Sequence, residues 1–208
     1  YMIGRELNDD YHIEGSPQKD IMLELKNVSN HHRKHSRHKL ENISLTIHKG
    51  EILGIAGVEG NGQTELVEAM TGMGGYTSGT IEIGGKDIRG SSVAAIRALK
   101  VAHIPEDRMT MGIAPKLSLT ENMIADKLSW KKFFKNGIIN RKAVRSYGEE
   151  MVDQYQVLCK SQDVSIDSLS GGNIQKVVLA RELSGDPQVI IADQPTRGVD
   201  VGATEFIR

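Results

Sequence analysis

Two rhythms of hydrophobic and polar positions run through the chain, and the points where one gives way to the other mark its elements. Residues 21–28 (IMLELKNV) and 43–47 alternate loosely, as strands with one covered face do. Residues 52–56 (ILGIA) are instead a short apolar run bounded by glycines, which predicts a buried strand. Leu66, Val67, Ala69 and Met70 then fit the first turns of a helix over 64–71. Residues 80–83 predict a strand entering a hairpin at Gly84-Gly85, 91–99 a helix, and 101–104 a strand stopped by Pro105.

From residue 118 the texture changes. Residues 118–155 are poor in glycine and rich in charge, with helical spacing around 121–128 and 141–155, and predict a small helical subdomain. Residues 174–183 predict an amphipathic helix, and 188–192 a buried strand ending at Asp193. Strands alternating with helices, around apolar central strands, predict an α/β fold with a largely parallel sheet. Residues 1–20 are polar, hold Gly4, Gly15 and Pro17, and read as a linker or entering arm. A new helix is beginning as the chain reaches Arg208, so the sequence reads as a fragment.

Composition narrows the class. With 208 residues, 38% hydrophobic and 25% charged, the chain can bury a core and is not disordered in composition. No stretch approaches the ~18 apolar residues of a membrane span, and no signal-peptide pattern opens the chain. A net charge of −1 predicts no overall attraction to nucleic acid or anionic lipid. The single cysteine, Cys159, excludes an internal disulfide framework and fits a reducing compartment. Glycine is the informative residue: 12 of the 22 lie between Gly50 and Gly90, and only three between Ser91 and Ser170. Glycine gathers where backbone must turn sharply or approach something closely.

The run at 52–56 leads into Gly57-Val-Glu59-Gly60-Asn61-Gly62-Gln63-Thr64 and then a helix. Strand, glycine-rich loop and helix form the setting in which successive backbone N–H groups wrap a phosphate at a positively polarised helix end. The full pattern would carry lysine where Gln63 stands, while Thr64 keeps a hydroxyl able to ligate Mg²⁺. The loop alone is also consistent with a tight turn of no ligand-binding role. A second segment adds weight. Leu169-Ser170-Gly171-Gly172-Asn173 directly precedes the helix at 174–183, and Asp193-Gln194-Pro195-Thr196 ends the strand at 188–192. An acidic residue at the carboxyl end of such a strand is where an α/β sheet places ligand groups.

These segments, with Arg197-Gly198-Val199-Asp200, together resemble the ATP-binding domain of an ATP-binding cassette (ABC) transporter. The run 170–183, the segment 195–203 and Ala102-His-Ile-Pro-Glu106-Asp-Arg108 most resemble the sugar and nucleoside importer branch. The resemblance implies a P-loop NTPase (RecA-like) core with an antiparallel β subdomain and a small helical subdomain at about 106–165. Such a domain would span 21–208 and stop short at its C-terminus. The opening Met2-Ile-Gly-Arg-Glu-Leu resembles the joint between two fused domains, which implies the second of them.

Carried over residue by residue, Gly57, Glu59, Gly60, Asn61, Gly62, Gln63 and Thr64 match the phosphate loop. Asp193, with Thr64, matches the Mg²⁺ ligands. Gln194 occupies the place of the catalytic glutamate, and Glu106 that of a glutamine that senses the γ-phosphate. Ser170, Gly171, Gly172 and Asn173 match the signature that closes over ATP bound to a partner domain, and Asp200 matches an aspartate that crosses between the two. An amide at 194 cannot take a proton from water, and general-base help is typically ~10²–10⁴-fold. The resemblance thus implies an asymmetric pair: a weak or inactive ATPase site at 57–64, and an intact signature completing the partner's site.

The implied cofactors are ATP and Mg²⁺. The implied partners are a second ABC ATP-binding domain and membrane permease subunits, without nucleic acid, at the cytoplasmic face of the cell membrane. The alternatives are a non-hydrolysing regulatory module, or a soluble ABC protein acting on nucleic acid or ribosomes, which the basic, histidine-rich run at 31–39 would suit. That run also reads as a solvated hairpin turn. Trp130, Phe133 and Phe134 read equally as a docking surface or as a small core, Arg181 and Glu182 as a surface pair or cap, and Met109 and Met111 as parts of a flexible loop.

Overall fold

The computed structural model describes residues 16–30, 40–135 and 138–207. The entering arm, for all but residues 16–20, and the run at 31–39 lie outside them. The chain divides into two compact units, residues 1–101 and 102–208.

The first unit is built on a four-stranded antiparallel sheet in the order β2-β1-β3-β4. Its strands are β1 (Ile21–Ser29), β2 (Ile43–His48), β3 (Ser78–Ile83) and β4 (Lys86–Asp87). The loose alternation in β1 resolves into Leu23, Leu25 and Val28 on the covered face, opposite Ile81 and Ile83 of β3. Gly79 has φ +83°, and a side chain there would strike the carbonyls of Lys26 and Asn27. Helix α1 (Gln63–Thr71) ends at Gly72, φ +77°, whose missing Cβ leaves room for Ile96 of α2 (Val93–Ala98). The Ser92 hydroxyl caps α2 by accepting from the Ala95 N–H.

Residues 52–56 correct the sequence expectation. They form no strand, and Ile52, Leu53 and Ile55 are exposed, Ile52 at 77%. Hydrophobicity marks a segment that gains from cover, but a strand needs a paired backbone. None of the described residues pairs with this one.

In the second unit β5 (Val101–Ile104) pairs with β8 (Val189–Ala192). The expected burial of β8 holds on one face only: Val189 and Ile191 are buried, while Ile190 is 53% exposed. Four helices follow the pattern of the sequence: α3 (Leu119–Ile124), α4 (Arg141–Gln154), α5 (Gly171–Leu183) and α6 (Val201–Ile207). A capping box starts α3: the Ser118 hydroxyl accepts from the Glu121 N–H, and Glu121 accepts from the Ser118 N–H at 2.8 Å. The Ser118 N–H and the Ser118 hydroxyl, both donating to Glu121 Oε2, hold that carboxyl below its ordinary range.

One core joins the helices, with Leu119, Met123, Phe133, Ile166, Val177 and Ala180 almost fully buried. Phe133 belongs to it, stacked on Trp130 at 5.7 Å and tilted against Tyr147 at 5.1 Å. It is followed by the short hairpin of β6 (Phe134–Lys135) and β7 (Ile138–Ile139). Arg181 and Glu182 do pair, at 2.8 Å, but not at the surface: the Glu182 side chain is 1% exposed. Burial is tolerable because Glu182 also accepts from the His103 N–H, and because Lys127, itself buried, donates to the Arg181 carbonyl and to Asp126. The expected flexible loop around Met109 and Met111 is a single π-type turn over Arg108–Gly112, with both methionines exposed.

Candidate functional site

Glycine shapes the loop at 57–64. Gly60 and Gly62 have φ +86° and +100°, in the left-handed region that glycine enters without strain. Gly62 is the N-cap of α1, so no side chain caps the first turn. The leading N–H groups of a helix have no partner within it, and together with the helix dipole they favour an anion. Thr64 is exposed in that first turn, as are Glu59 and Asn61 in the loop.

Gln63 folds back into this loop. Its Oε1 accepts from the Asn61 N–H at 3.1 Å and its Nε2 donates to the Val58 carbonyl at 3.2 Å. The amide lies over Gly57, in the space a Cβ there would take. A lysine could make the second of these bonds but not the first, since an ammonium has no acceptor. Gln63 therefore shares the Asn61 N–H with the Val58 carbonyl, which accepts from it at 3.2 Å.

The remaining matched residues lie in the second unit. Asp193 follows β8 and its N–H donates to the Ile104 carbonyl at 2.9 Å. Partial burial pushes its carboxyl up from the ordinary range, with nearby His103 opposing. Gln194 has φ +45°, a strained value for a side-chain-bearing residue, of the kind that clusters at working sites. Its amide Nε2 donates to Glu106 Oε1 at 2.7 Å, and Arg197 forms an ion pair with the same oxygen. Glu106 and Gln194 thus stand in direct contact, one carboxylate and one amide.

Helix α5 starts at the signature. The Ser170 hydroxyl oxygen accepts from the Asn173 N–H at 3.5 Å and from Asn173 Nδ2 at 2.9 Å, which leaves its own proton to donate elsewhere. The Asn173 side chain is committed within the fold, because its Oδ1 accepts from the Leu158 N–H at 2.8 Å. A Cβ on Gly172 would meet Asp200 Oδ2 at 3.0 Å, and one on Gly171 would meet an Arg108 nitrogen at 2.6 Å. Asp200 accepts from the Ala203 N–H at 2.9 Å and so starts α6. Ser170, Gly171, Gly172, Asn173 and Asp200 are thereby brought together.

Two residues join them that sequence reasoning did not single out. Arg108 donates to the carbonyls of Arg197 at 2.7 Å and Gly198 at 2.9 Å. Gln175, 2% exposed, donates to the Pro195 carbonyl at 2.9 Å. Its signal in the sequence is an amide on the buried face of an amphipathic helix.

Thr64 offers a hydroxyl in the first unit and Asp193 a carboxylate in the second, each by itself an oxygen donor of the kind that Mg²⁺ takes. Among the described residues no group of three or more His, Cys, Asp or Glu is placed to hold a metal ion. Among the same residues, no helix is long and apolar enough to cross a membrane.

Comparison with known proteins identifies the family. The family model described as "ABC transporter" matches residues 40–197. The nucleoside import ATP-binding protein NupA of Lactococcus lactis subsp. cremoris is 37% identical over 206 residues, 99% of this chain and 40% of that protein. The xylose import ATP-binding protein XylG of Burkholderia ambifaria is 40% identical over 205 residues, 97% of this chain and 39% of its own length. The chain thus spans about two fifths of the curated relatives it matches. Among solved structures, the dimeric bacterial ABC transporter cassette MJ0796 matches with a TM-score of 0.73 at 23% identity, over 89% of this chain and 79% of that one, a likeness of fold.

Proposed function

Because the chain belongs to the ABC transporter family of ATP-binding domains, we propose that it serves an importer of a sugar or nucleoside as the non-catalytic half of an asymmetric ATP-binding pair. In this reading it is the second of two such domains in a longer protein. It lies at the cytoplasmic face of the membrane, bound to permease subunits, and its signature completes a catalytic site on its partner. The import functions printed for NupA and XylG support the solute class.

The observation that carries the asymmetry is the contrast between two helix N-termini. At α1, Gln63 shares the Asn61 N–H of its own loop with the Val58 carbonyl, and it stands where the family's pattern carries lysine. At α5, Ser170 is the N-cap, its oxygen accepting from the Asn173 N–H and Nδ2, and it keeps a proton to donate beside Gly171 and Gly172. Backbone amides at a helix end and one hydroxyl suit a γ-phosphate presented by a partner. Gln194 adds to the contrast, since an amide cannot act as the base for an attacking water. In the domain's own loop, the Thr64 hydroxyl would hold Mg²⁺ beside a bound nucleotide. The ion would neutralise phosphate charge there.

The test is steady-state ATP hydrolysis by the full-length protein, or by this chain mixed with a partner domain whose loop has lysine. Ser170→Ala should remove most of the activity, and Thr64→Ala should leave most of it. The opposite ranking refutes the asymmetric reading.

A further inference from the structure

We propose that Arg108 is a positioning residue for the signature at Ser170–Asn173, acting through the turn that links β8 to α6. The inference rests on the reading of 170–173 as a signature, and it adds what sets that segment's place.

Arg108 is held from its own side first. Asp107 accepts from the N–H groups of Met109 and Thr110, at 2.9 and 3.3 Å, and from the Thr110 hydroxyl at 2.8 Å. Those bonds keep the Asp107 carboxyl below its ordinary range and fix the π-type turn from which Arg108 projects. The guanidinium then reaches two consecutive carbonyls, those of Arg197 and Gly198, 89 and 90 residues away. Its planar fork suits two acceptors at once, as a lysine ammonium does not. Its Nε is buried with no hydrogen-bond partner among the described residues, so the group is set by those two bonds and by packing.

The packing partner is the signature itself. Gly171 lies against Arg108, where any Cβ would meet the guanidinium at 2.6 Å and the Gly198 carbonyl at 3.3 Å. The same turn is tied to α5 by Gln175 at the Pro195 carbonyl, and to Gly172 by the closeness of Asp200. Glu106, two residues before Arg108, holds Gln194 and Arg197 at the start of the turn. The segment after β5 thus grips the turn 194–198 from two sides. Arg108 touches both that turn and the first residue of α5. Loss of the fork frees two carbonyls and leaves α5's first turn unsupported on the Gly171 side.

Arg108→Gln and Arg108→Lys test this in two measurements. Amide hydrogen exchange on this chain should speed up about tenfold at 170–173 and 197–200 in both variants, while α3 and α4 keep the parent's rates. ATP-driven pairing with a partner domain whose loop has lysine should weaken about tenfold. The partner's affinity for ADP, which offers no γ-phosphate to the signature, should not change. Ser170→Ala runs beside them as the control for the signature. Unchanged exchange at both segments, full rescue by lysine, or intact pairing in Arg108→Gln when Ser170→Ala abolishes it, each overturns the role of Arg108. Faster exchange with Ser170→Ala still pairing normally refutes the signature reading and supports Arg108's hold on the two segments.

Discussion

Gln63→Ala should tighten, not weaken, the grip of the loop at 57–64 on a phosphate-bearing ligand. In most binding sites, deleting a polar side chain beside the ligand loses affinity. Here the side chain competes: its Oε1 holds the Asn61 N–H at 3.1 Å, and its amide lies over Gly57. The Val58 carbonyl accepts from the same N–H at 3.2 Å, so Gln63→Ala removes one of two acceptors competing with a phosphate. At a net ~1 kcal/mol for a neutral hydrogen bond, ATP affinity should improve by up to roughly fivefold. Gln63→Lys removes the same competitor and adds a cation. A charge-assisted contact brings ~1.5–3 kcal/mol, or about 10- to 150-fold, and this part should shrink as salt rises. Titration of this chain with ATP, by calorimetry or a fluorescent analogue at low and high salt, reads all three proteins. If Gln63→Ala binds ATP as weakly as the parent or more weakly, the amide is a ligand contact rather than a competitor. The argument then fails whatever lysine does.

Three other outcomes follow from the geometry. Gln194→Glu places a second carboxylate against Glu106 Oε1, 2.7 Å from the present amide nitrogen. Like charges that close share a proton and raise the pair's apparent pKa, so single-turnover hydrolysis should appear only as pH rises well above the carboxylate range. Glu106→Gln in the same protein should bring that limb back down, and an unshifted pH profile would show the two groups do not face each other. Tyr147 has its hydroxyl pushed up to about 12 by burial, against 10.0 unperturbed. From pH 10 to 12 the unfolded chain has lost this proton and the folded chain keeps it, so stability should fall across that window, by up to roughly 2 kcal/mol. Urea unfolding against pH should show the slope, and Tyr147→Phe should remove it. Gly148→Ala drives a methyl into the Thr120 side chain across the α3–α4 contact. It should cost ~1–3 kcal/mol by the same measurement, and a neutral result would show that contact can relax.

Much of the fold was legible because periodicity reports what it reports well. The helices at 63–71, 141–154 and 171–183 fall within a few residues of the pattern, and β5 occupies the predicted 101–104. Residues 52–56 failed for a definite reason: an apolar run states a need for cover and is silent on which backbone pairs with it. Arg181 and Glu182 failed because charge was read as exposure, whereas pairing and the buried Lys127 make burial affordable. The site's residue types were visible in the motifs, but their partners were not. Nothing in local spacing says that Gln63 turns back on Asn61, or that Arg108 reaches a carbonyl 89 residues along the chain.

The contacts at Gly171 and Gly172 also bear on how such motifs persist through evolution. One glycine makes room for the Arg108 guanidinium and the other for the Asp200 carboxylate, and neither need depends on ATP. A descendant without the proposed pairing would still be under pressure to keep both, simply to fold. Asp or Asn could also supply the oxygen with which Ser170 caps α5, so drift in such a lineage would register first there, in the hydroxyl proton that the fold leaves unused. In comparing copies of this domain, the serine is therefore the better witness to a working signature than the glycine pair that makes the motif easy to recognise.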